Sequence, residues 1–198
     1  MLPIKKSSLL ISAAKYEQWP QTDFPEIIMI GRSNAGKSSL INALCQRKNL
    51  AYVGKKPGKT RLLNFFLLND EWLLVDAPGY GFANITKNMM QDFGKMMEDY
   101  FQKRVQCKGL VLVMDIRRIP NEDDLSMIEY ANYYRLPVVI VLTKIDKISN
   151  NVRTNQLHLI KEKLGVEKDV LYCVSNEKKT GIDKLWHRLE EIYCELPR

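Results

Sequence analysis

No apolar run in this 198-residue sequence approaches the ~20 residues a helix needs to cross a bilayer. Pro-, Gly- or Ser-rich linkers, internal repeats and low-complexity tracts are also missing, which argues for a single folded unit. Cysteine is scarce. Cys45, Cys107, Cys173 and Cys194 lack the paired spacing of a metal site, so reduced, mostly buried thiols in a cytoplasmic protein are expected. His158 and His187 stand alone on helical segments and read as surface residues. Lys5-Lys6 ahead of Leu9-Leu10-Ile11 has the order of a signal peptide, but its apolar core is too short.

What is present is organised around one loop. Ile27-Ile28-Met29-Ile30 is an apolar run suited to a buried strand, and Ser39–Leu44 has helix-forming composition. Between them, Gly31-Arg32-Ser33-Asn34-Ala35-Gly36-Lys37-Ser38 fits the phosphate-binding P-loop at every fixed position. The glycines let backbone N–H groups close on phosphates at a helix N-terminus. Lys37 would reach the outer phosphates, and the Ser38 hydroxyl would ligate Mg²⁺.

A second apolar run ends in Asp76-Ala77-Pro78-Gly79, delivering a carboxylate to the edge of a sheet where ligands sit. Asp76 can hold Mg²⁺ opposite Ser38, and Gly79 can offer its N–H to a γ-phosphate. Between Ser38 and Asp76 the only threonine is Thr60, in a Gly- and Lys-rich segment. A nucleotide switch needs one hydroxyl there to join Mg²⁺ with triphosphate bound, and Gly58, Lys59, Arg61 and Leu62 are taken with Thr60 as nucleotide contacts. Later, Pro137–Leu142 runs into Thr143-Lys144-Ile145-Asp146. The Asp146 carboxylate can accept from guanine N1–H and N2–H₂ together, a donor pair adenine lacks, while the Lys144 stem can lie over the base. Val170–Val174 leads into Ser175-Asn176-Glu177, where a backbone N–H near Asn176 could donate to guanine O6.

Strand-like runs at Leu62–Leu68, Glu71–Val75, Gly109–Met114, Pro137–Leu142 and Val170–Val174 alternate with helical spacing at Met89–Arg104, Asp124–Tyr134, Asn151–Leu164 and Ile182–Cys194. The alternation predicts a mostly parallel sheet with helices on both faces. Leu62–Leu68 and Glu71–Val75 are joined by only Asn69-Asp70, too short for a crossover, so that pair must be antiparallel.

The order GRSNAGKSSLINAL, PGKTR, DAPGYGF, TKID, SNEKKTGID resembles GTPases of translation-factor type, and within them the EngB (YihA/YsxC) family of bacterial ribosome-biogenesis GTP-binding proteins. Thr143, where GTPases at large carry Asn, fits that family, as do Asp115-Ile116-Arg117-Arg118 and the GYGF run. The resemblance covers roughly residues 20–195, departing at Ala35 and at Asn176-Glu177. It implies a P-loop GTPase fold, a three-layer α/β sandwich on a mostly parallel six-stranded sheet with one antiparallel strand. The expected division is an N-terminal extension over residues 1–22 and one GTPase domain over residues 23–198. The implied activity is slow GTP hydrolysis with Mg²⁺, in assembly of the large ribosomal subunit and with septation defects on loss. A cytoplasmic monomer is expected, with GTP or GDP and the subunit's RNA and proteins as partners and none in a membrane.

Lys and Arg number 30 against 23 Asp and Glu, giving a formal charge of +7. Several of these cations flank the proposed switches and loops, among them Arg117-Arg118 and Lys178-Lys179, which suits docking to nucleic acid. Many GTPases orient the attacking water with Gln after Asp-x-x-Gly, but here that position is Tyr80. Hydrolysis by the chain alone should therefore be slow. Lys37 and Thr60 are the expected catalytic groups, and Asn34 a third, since related GTPases with Asn at this position use it to ligate K⁺ in place of an arginine finger.

Overall fold

The computed structural model describes residues 4–51, 62–81, 87–166 and 170–194. Its elements are β1 (Ser7–Ala13), β2 (Glu26–Gly31), α1 (Lys37–Leu44), β3 (Leu63–Leu68), β4 (Trp72–Asp76), α2 (Lys87–Lys103), β5 (Cys107–Asp115), α3 (Glu122–Tyr133), β6 (Val138–Thr143), α4 (Asn150–Leu164), β7 (Leu171–Cys173) and α5 (Ile182–Cys194). One sheet runs β1-β3-β4-β2-β5-β6-β7, with β3 antiparallel to both its neighbours and every other pairing parallel. Asn69 and Asp70 both take positive φ, 52° and 57°, the left-handed pair a two-residue hairpin between β3 and β4 needs.

The described sheet has seven strands where six were expected, and the seventh is β1, from residues expected to precede the domain. It sits at the edge and pairs with β3 from Ser7↔Leu68 to Ala13↔Leu63. Its Leu9, Leu10 and Ile11 are all exposed, so β1 lacks the buried alternation by which a strand is read from sequence.

Alternating side chains of the central strands feed two cores. Ile28, Ile30, Val75, Leu112 and Leu142 pack with Met97 and Tyr100 of α2, Ala131 of α3 and Ile160 of α4. On the other face Ile27, Met29, Leu74, Val113 and Val141 pack with Leu40, Ile41 and Leu44 of α1 and Leu185, Trp186 and Leu189 of α5. The product is a three-layer sandwich. Because β2, β4, β5, β6 and β7 run parallel, their carboxyl ends lie along one edge, where the loops after them gather.

Three anchors fix the elements behind that edge. Trp186 Nε1 of α5 donates to the Leu44 carbonyl at the end of α1, 3.0 Å away. Asn42 of α1 holds both backbone groups of Ala51, at 2.9 and 2.8 Å. The buried Glu26 carboxylate accepts from Arg104 at 2.5 Å and from the Tyr100 hydroxyl at 2.6 Å, pinning the end of α2 to β2.

Candidate functional site

The loop after β2 turns into α1 through Asn34 and Gly36, whose φ values are 61° and 92°. At Gly36 a side chain would be strained by that φ and would put a Cβ 3.3 Å from Thr143 Oγ1. Ala35 N–H closes the turn on the Arg32 carbonyl at 3.0 Å. Lys37, largely buried as the first residue of α1, directs its ammonium onto the Asp76 carboxylate at the end of β4. The register explains this meeting: Met29 and Asp76 are partners across β2 and β4, two positions before Gly31 ends β2.

Asp76 and Ser38 offer only oxygen donors, which suits Mg²⁺ completed by phosphate oxygens and water. Among the described residues there is no cluster of three or more His, Cys, Asp or Glu that would compete as a transition-metal site. Gly58, Lys59, Thr60 and Arg61 lie outside the described residues, and Leu62 stands just ahead of β3.

Gly79 approaches the P-loop so closely that a Cβ there would lie 3.2 Å from both Cα and N of Ser33. Ser33 N–H donates to the Tyr80 carbonyl at 2.8 Å, stitching the Ala77-Pro78-Gly79 stretch to the loop. The Tyr80 side chain is buried, and its hydroxyl donates to Asp124 Oδ1 at 2.7 Å. Burial and then the Asp124 carboxylate push the Tyr80 hydroxyl far above its ordinary pKa, so it stays a donor. Arg32 donates to Asp124 through Nη2 at 2.7 Å and Nε at 3.0 Å, and to the Ile119 carbonyl at 2.8 Å. The Arg32 guanidinium is thereby committed to α3, leaving its backbone to the P-loop.

Asp124 is the residue sequence reasoning missed. It lies in the acidic run Glu122-Asp123-Asp124, which reads as a helix start facing solvent, yet it is fully buried. Asn121-x-x-Asp124 has the pattern of a capping box, and the structure forms both its bonds, at 3.2 and 2.9 Å. That signal was available in sequence. The bonds from Arg32 and Tyr80 were not.

The loops after β6 and β7 meet the P-loop from the other side. The buried Thr143 hydroxyl lies 2.5 Å from the Ala35 carbonyl and 3.1 Å from that of Met114. Lys144, itself left-handed at φ 60°, donates to the Asn34 carbonyl at 2.6 Å and pairs with Asp115 at 2.9 Å. Asp115 also takes two bonds from the Arg117 guanidinium, at 2.9 and 2.7 Å. Burial opposes the Asp115 charge, but the bonds from Arg117 and Lys144 outweigh it and bring the carboxyl down to about 2.

Asp146 follows Ile145 in a short 3₁₀ turn, with its side chain only 4 % exposed. The Ser175 hydroxyl donates to Asp146 Oδ1 at 2.6 Å, holding that carboxyl below its ordinary pKa. Lys147 bridges Asp146 and Glu177 at 3.2 and 2.5 Å, and Asn176 donates to the Gly36 carbonyl at 3.3 Å. The described residues thus bring the P-loop, Asp76, Gly79, Thr143–Asp146 and Ser175–Glu177 to one edge of the sheet. Asn34 contributes a left-handed backbone and an exposed side chain.

A phosphate loop on a left-handed glycine beside an aspartate at the end of the neighbouring strand β4 is the arrangement of a P-loop GTPase. Residues 26–144 match the family described as 50S ribosome-binding GTPase. The chain belongs to the EngB family of GTP-binding proteins. It is 48% identical to "Probable GTP-binding protein EngB" of Lactobacillus acidophilus, covering 95% of this chain and 97% of that protein. The protein of that name in Bacillus subtilis is 42% identical, covering 96% and 98%. A crystal structure of a probable GTP-binding protein engB aligns with a TM-score of 0.71 at 25% identity, covering 86% of this chain and all of the other. An S. thermophilus NFeoB mutant bound to GDP shares the fold, with a TM-score of 0.56 at 24% identity over 85% of this chain and 62% of that one. Among the described residues no helix is long and apolar enough to cross a membrane.

Proposed function

We propose that this chain is a GTP-driven switch in assembly of the large ribosomal subunit, working as a cytoplasmic monomer, with septation and cell division suffering when it is lost. One observation carries the reading: the nucleotide loops share their edge of the sheet with exposed Arg118, Lys178 and Lys179, beside Arg117 and Lys147, whose charges are paired with carboxylates. A basic surface beside a nucleotide site can make RNA docking depend on the nucleotide bound. The family's description as ribosome-binding supports the same partner.

In this reading Asp146 and the N–H near Asn176 select guanine. P-loop amides and Lys37 hold the phosphates, Lys37 exchanging the Asp76 carboxylate for them. Ser38, Asp76 and Thr60 would hold Mg²⁺, which when bound neutralises charge developing on the transferred phosphoryl group. Asn34 would hold K⁺. Thr60 reports the triphosphate, Gly79 offers its N–H to the γ-phosphate, and the GTPase domain expected over residues 23–198 acts as one unit together with β1, which joins its sheet.

The deciding experiment is single-turnover GTP hydrolysis with and without large ribosomal subunits. Acceleration by subunits is expected, with tighter association in a GTP analogue than in GDP. Association should weaken with salt, by a log–log slope of roughly −0.7 to −0.9 per phosphate contact. Unaccelerated hydrolysis with nucleotide-dependent association would favour a second reading, an RNA-binding module ordered by GTP whose turnover is not its output. The engagement of the Tyr80 hydroxyl with Asp124 favours that alternative, since it leaves this side chain unable to orient water.

Three variants separate the parts. Asp146→Asn should lose GTP affinity by ~1–3 kcal/mol and gain xanthosine nucleotides. Thr60→Ala should spare GDP, whereas Ser38→Ala should weaken both nucleotides. Hydrolysis should run faster in K⁺ than in Na⁺, with the difference abolished in Asn34→Ala.

A further inference from the structure

Three consecutive P-loop carbonyls are held by side chains from the two base-recognition loops. Lys144 takes that of Asn34 at 2.6 Å, Thr143 that of Ala35 at 2.5 Å, and Asn176 that of Gly36 at 3.3 Å. Every peptide between them is trans. In a trans peptide the C=O and N–H point in opposite directions within one rigid plane. Holding the Ala35 carbonyl therefore aims the Gly36 N–H, and holding the Gly36 carbonyl aims the Lys37 N–H. These two amides open α1, where an anion would be received. The Gly36 carbonyl also accepts from Leu40 N–H at 2.9 Å, and its two lone pairs accommodate both donors.

Asn176 is the member of this set that the guanine motifs do not require, since only a backbone N–H is asked of its position. Its amide is fixed by chemistry: a carbonyl can face only the NH₂ group, which leaves Asn176 Oδ1 buried with no hydrogen-bond partner among the described residues. We infer that the Asn176 side chain is a positioning residue for the nucleotide's second phosphate: by fixing the Gly36–Lys37 peptide it couples the guanine loop to the amides that receive a diphosphate.

The inference rests on the guanine-nucleotide reading of this site, and equilibrium binding of GDP and GMP to the full chain separates the two. Both ligands make the same base contacts, but only GDP carries the second phosphate. Asn176→Ala should weaken GDP about tenfold, the effect of losing one hydrogen bond from the site. GMP, measured by competition against a fluorescent GDP, should change less than about twofold, since its base contacts are intact. Asn176→Asp, of the same shape but without the donor, should lose GDP at least as strongly. Equal losses for GDP and GMP would put the side chain in base recognition and overturn the inference, as would unchanged GDP affinity in both variants. Failure of the wild-type chain to bind GDP would instead overturn the nucleotide reading.

Discussion

Helices α1 and α3 start at the same edge of the sheet, and their first turns are built in opposite ways. The N-cap of α1 is Gly36 in a left-handed conformation, with no side-chain cap and no acid in the first turn. The N-cap of α3 is Asn121, with a complete capping box and Glu122, Asp123 and Asp124 immediately after it. Each helix carries a comparable partial positive charge at its start. In α3 the chain answers that charge itself, and Asp124 has capacity left for Arg32 and Tyr80. In α1 the chain provides no answer of its own. In the proposed reading the anion site is marked by a missing cap as much as by its glycines, whereas the neighbouring helix α3 caps itself.

This contrast can be broken from either side. The largest effect is expected on the α3 side from Asp124→Ala, which leaves Arg32 and the Tyr80 hydroxyl without their buried partner. Chemical denaturation should report a loss of about 3–5 kcal/mol, with Asp124→Asn, which keeps the cap oxygen, costing less. Next comes the acid sensitivity of Asp115, which is held by Arg117 and Lys144. Because the Asp115 carboxyl is lowered to about 2 in the folded state, its stabilisation is complete above the ordinary carboxylate pKa and lost as pH falls through about 2. In a denaturation series from pH 5 downward, Asp115→Asn should remove a decline on the order of 2 kcal/mol.

Gly36→Ala tests the uncapped start of α1. Forcing a side chain to φ 92° should cost ~1–2 kcal/mol of stability. The added methyl would press on Thr143 Oγ1, so GDP affinity by calorimetry should fall as well. The smallest effect is expected from Asn121→Ala, about 1 kcal/mol from the lost cap with GDP affinity unchanged. Should Asn121→Ala weaken GDP as much as Gly36→Ala does, the two helix starts would not be independent and the comparison would collapse.

The parts of the site legible in sequence are those whose chemistry is local. Gly31–Ser38 announces itself because strand, loop and helix are contiguous, Asp76 because it ends an apolar run, and Asp146 because it closes the short Thr143–Asp146 motif that follows one. The two-residue link Asn69-Asp70 was enough to set β3 against β4. The Thr143 hydroxyl, at the weak position of its motif, reaches the Ala35 carbonyl. What could not be read depends on distant partners. Asp124 sits 92 positions from Arg32, within a run of acids whose obvious reading is a solvated helix start. Strand β1 has backbone pairing to β3 as its reason to exist, and backbone pairing leaves no mark on side-chain pattern. Asn176 looked like a departure from its motif because the partner that explains it, Gly36, lies 140 positions away.

The bond from Trp186 to the Leu44 carbonyl has a mechanical meaning once the other end of α1 is considered. Thr143 and Asn176 grip the entrance to this helix, and Trp186 grips its exit. Held at both ends, α1 is expected to serve as a stationary datum when the nucleotide changes. In the proposed switch, displacement on exchanging diphosphate for triphosphate would fall on the segments outside α1, among them Thr60 and the Gly79-Tyr80 stretch, whose backbone meets Gly31 and Ser33. In hydrogen exchange the amides of α1 should keep the same protection in both nucleotide states, a fixed mark against which movement elsewhere can be measured.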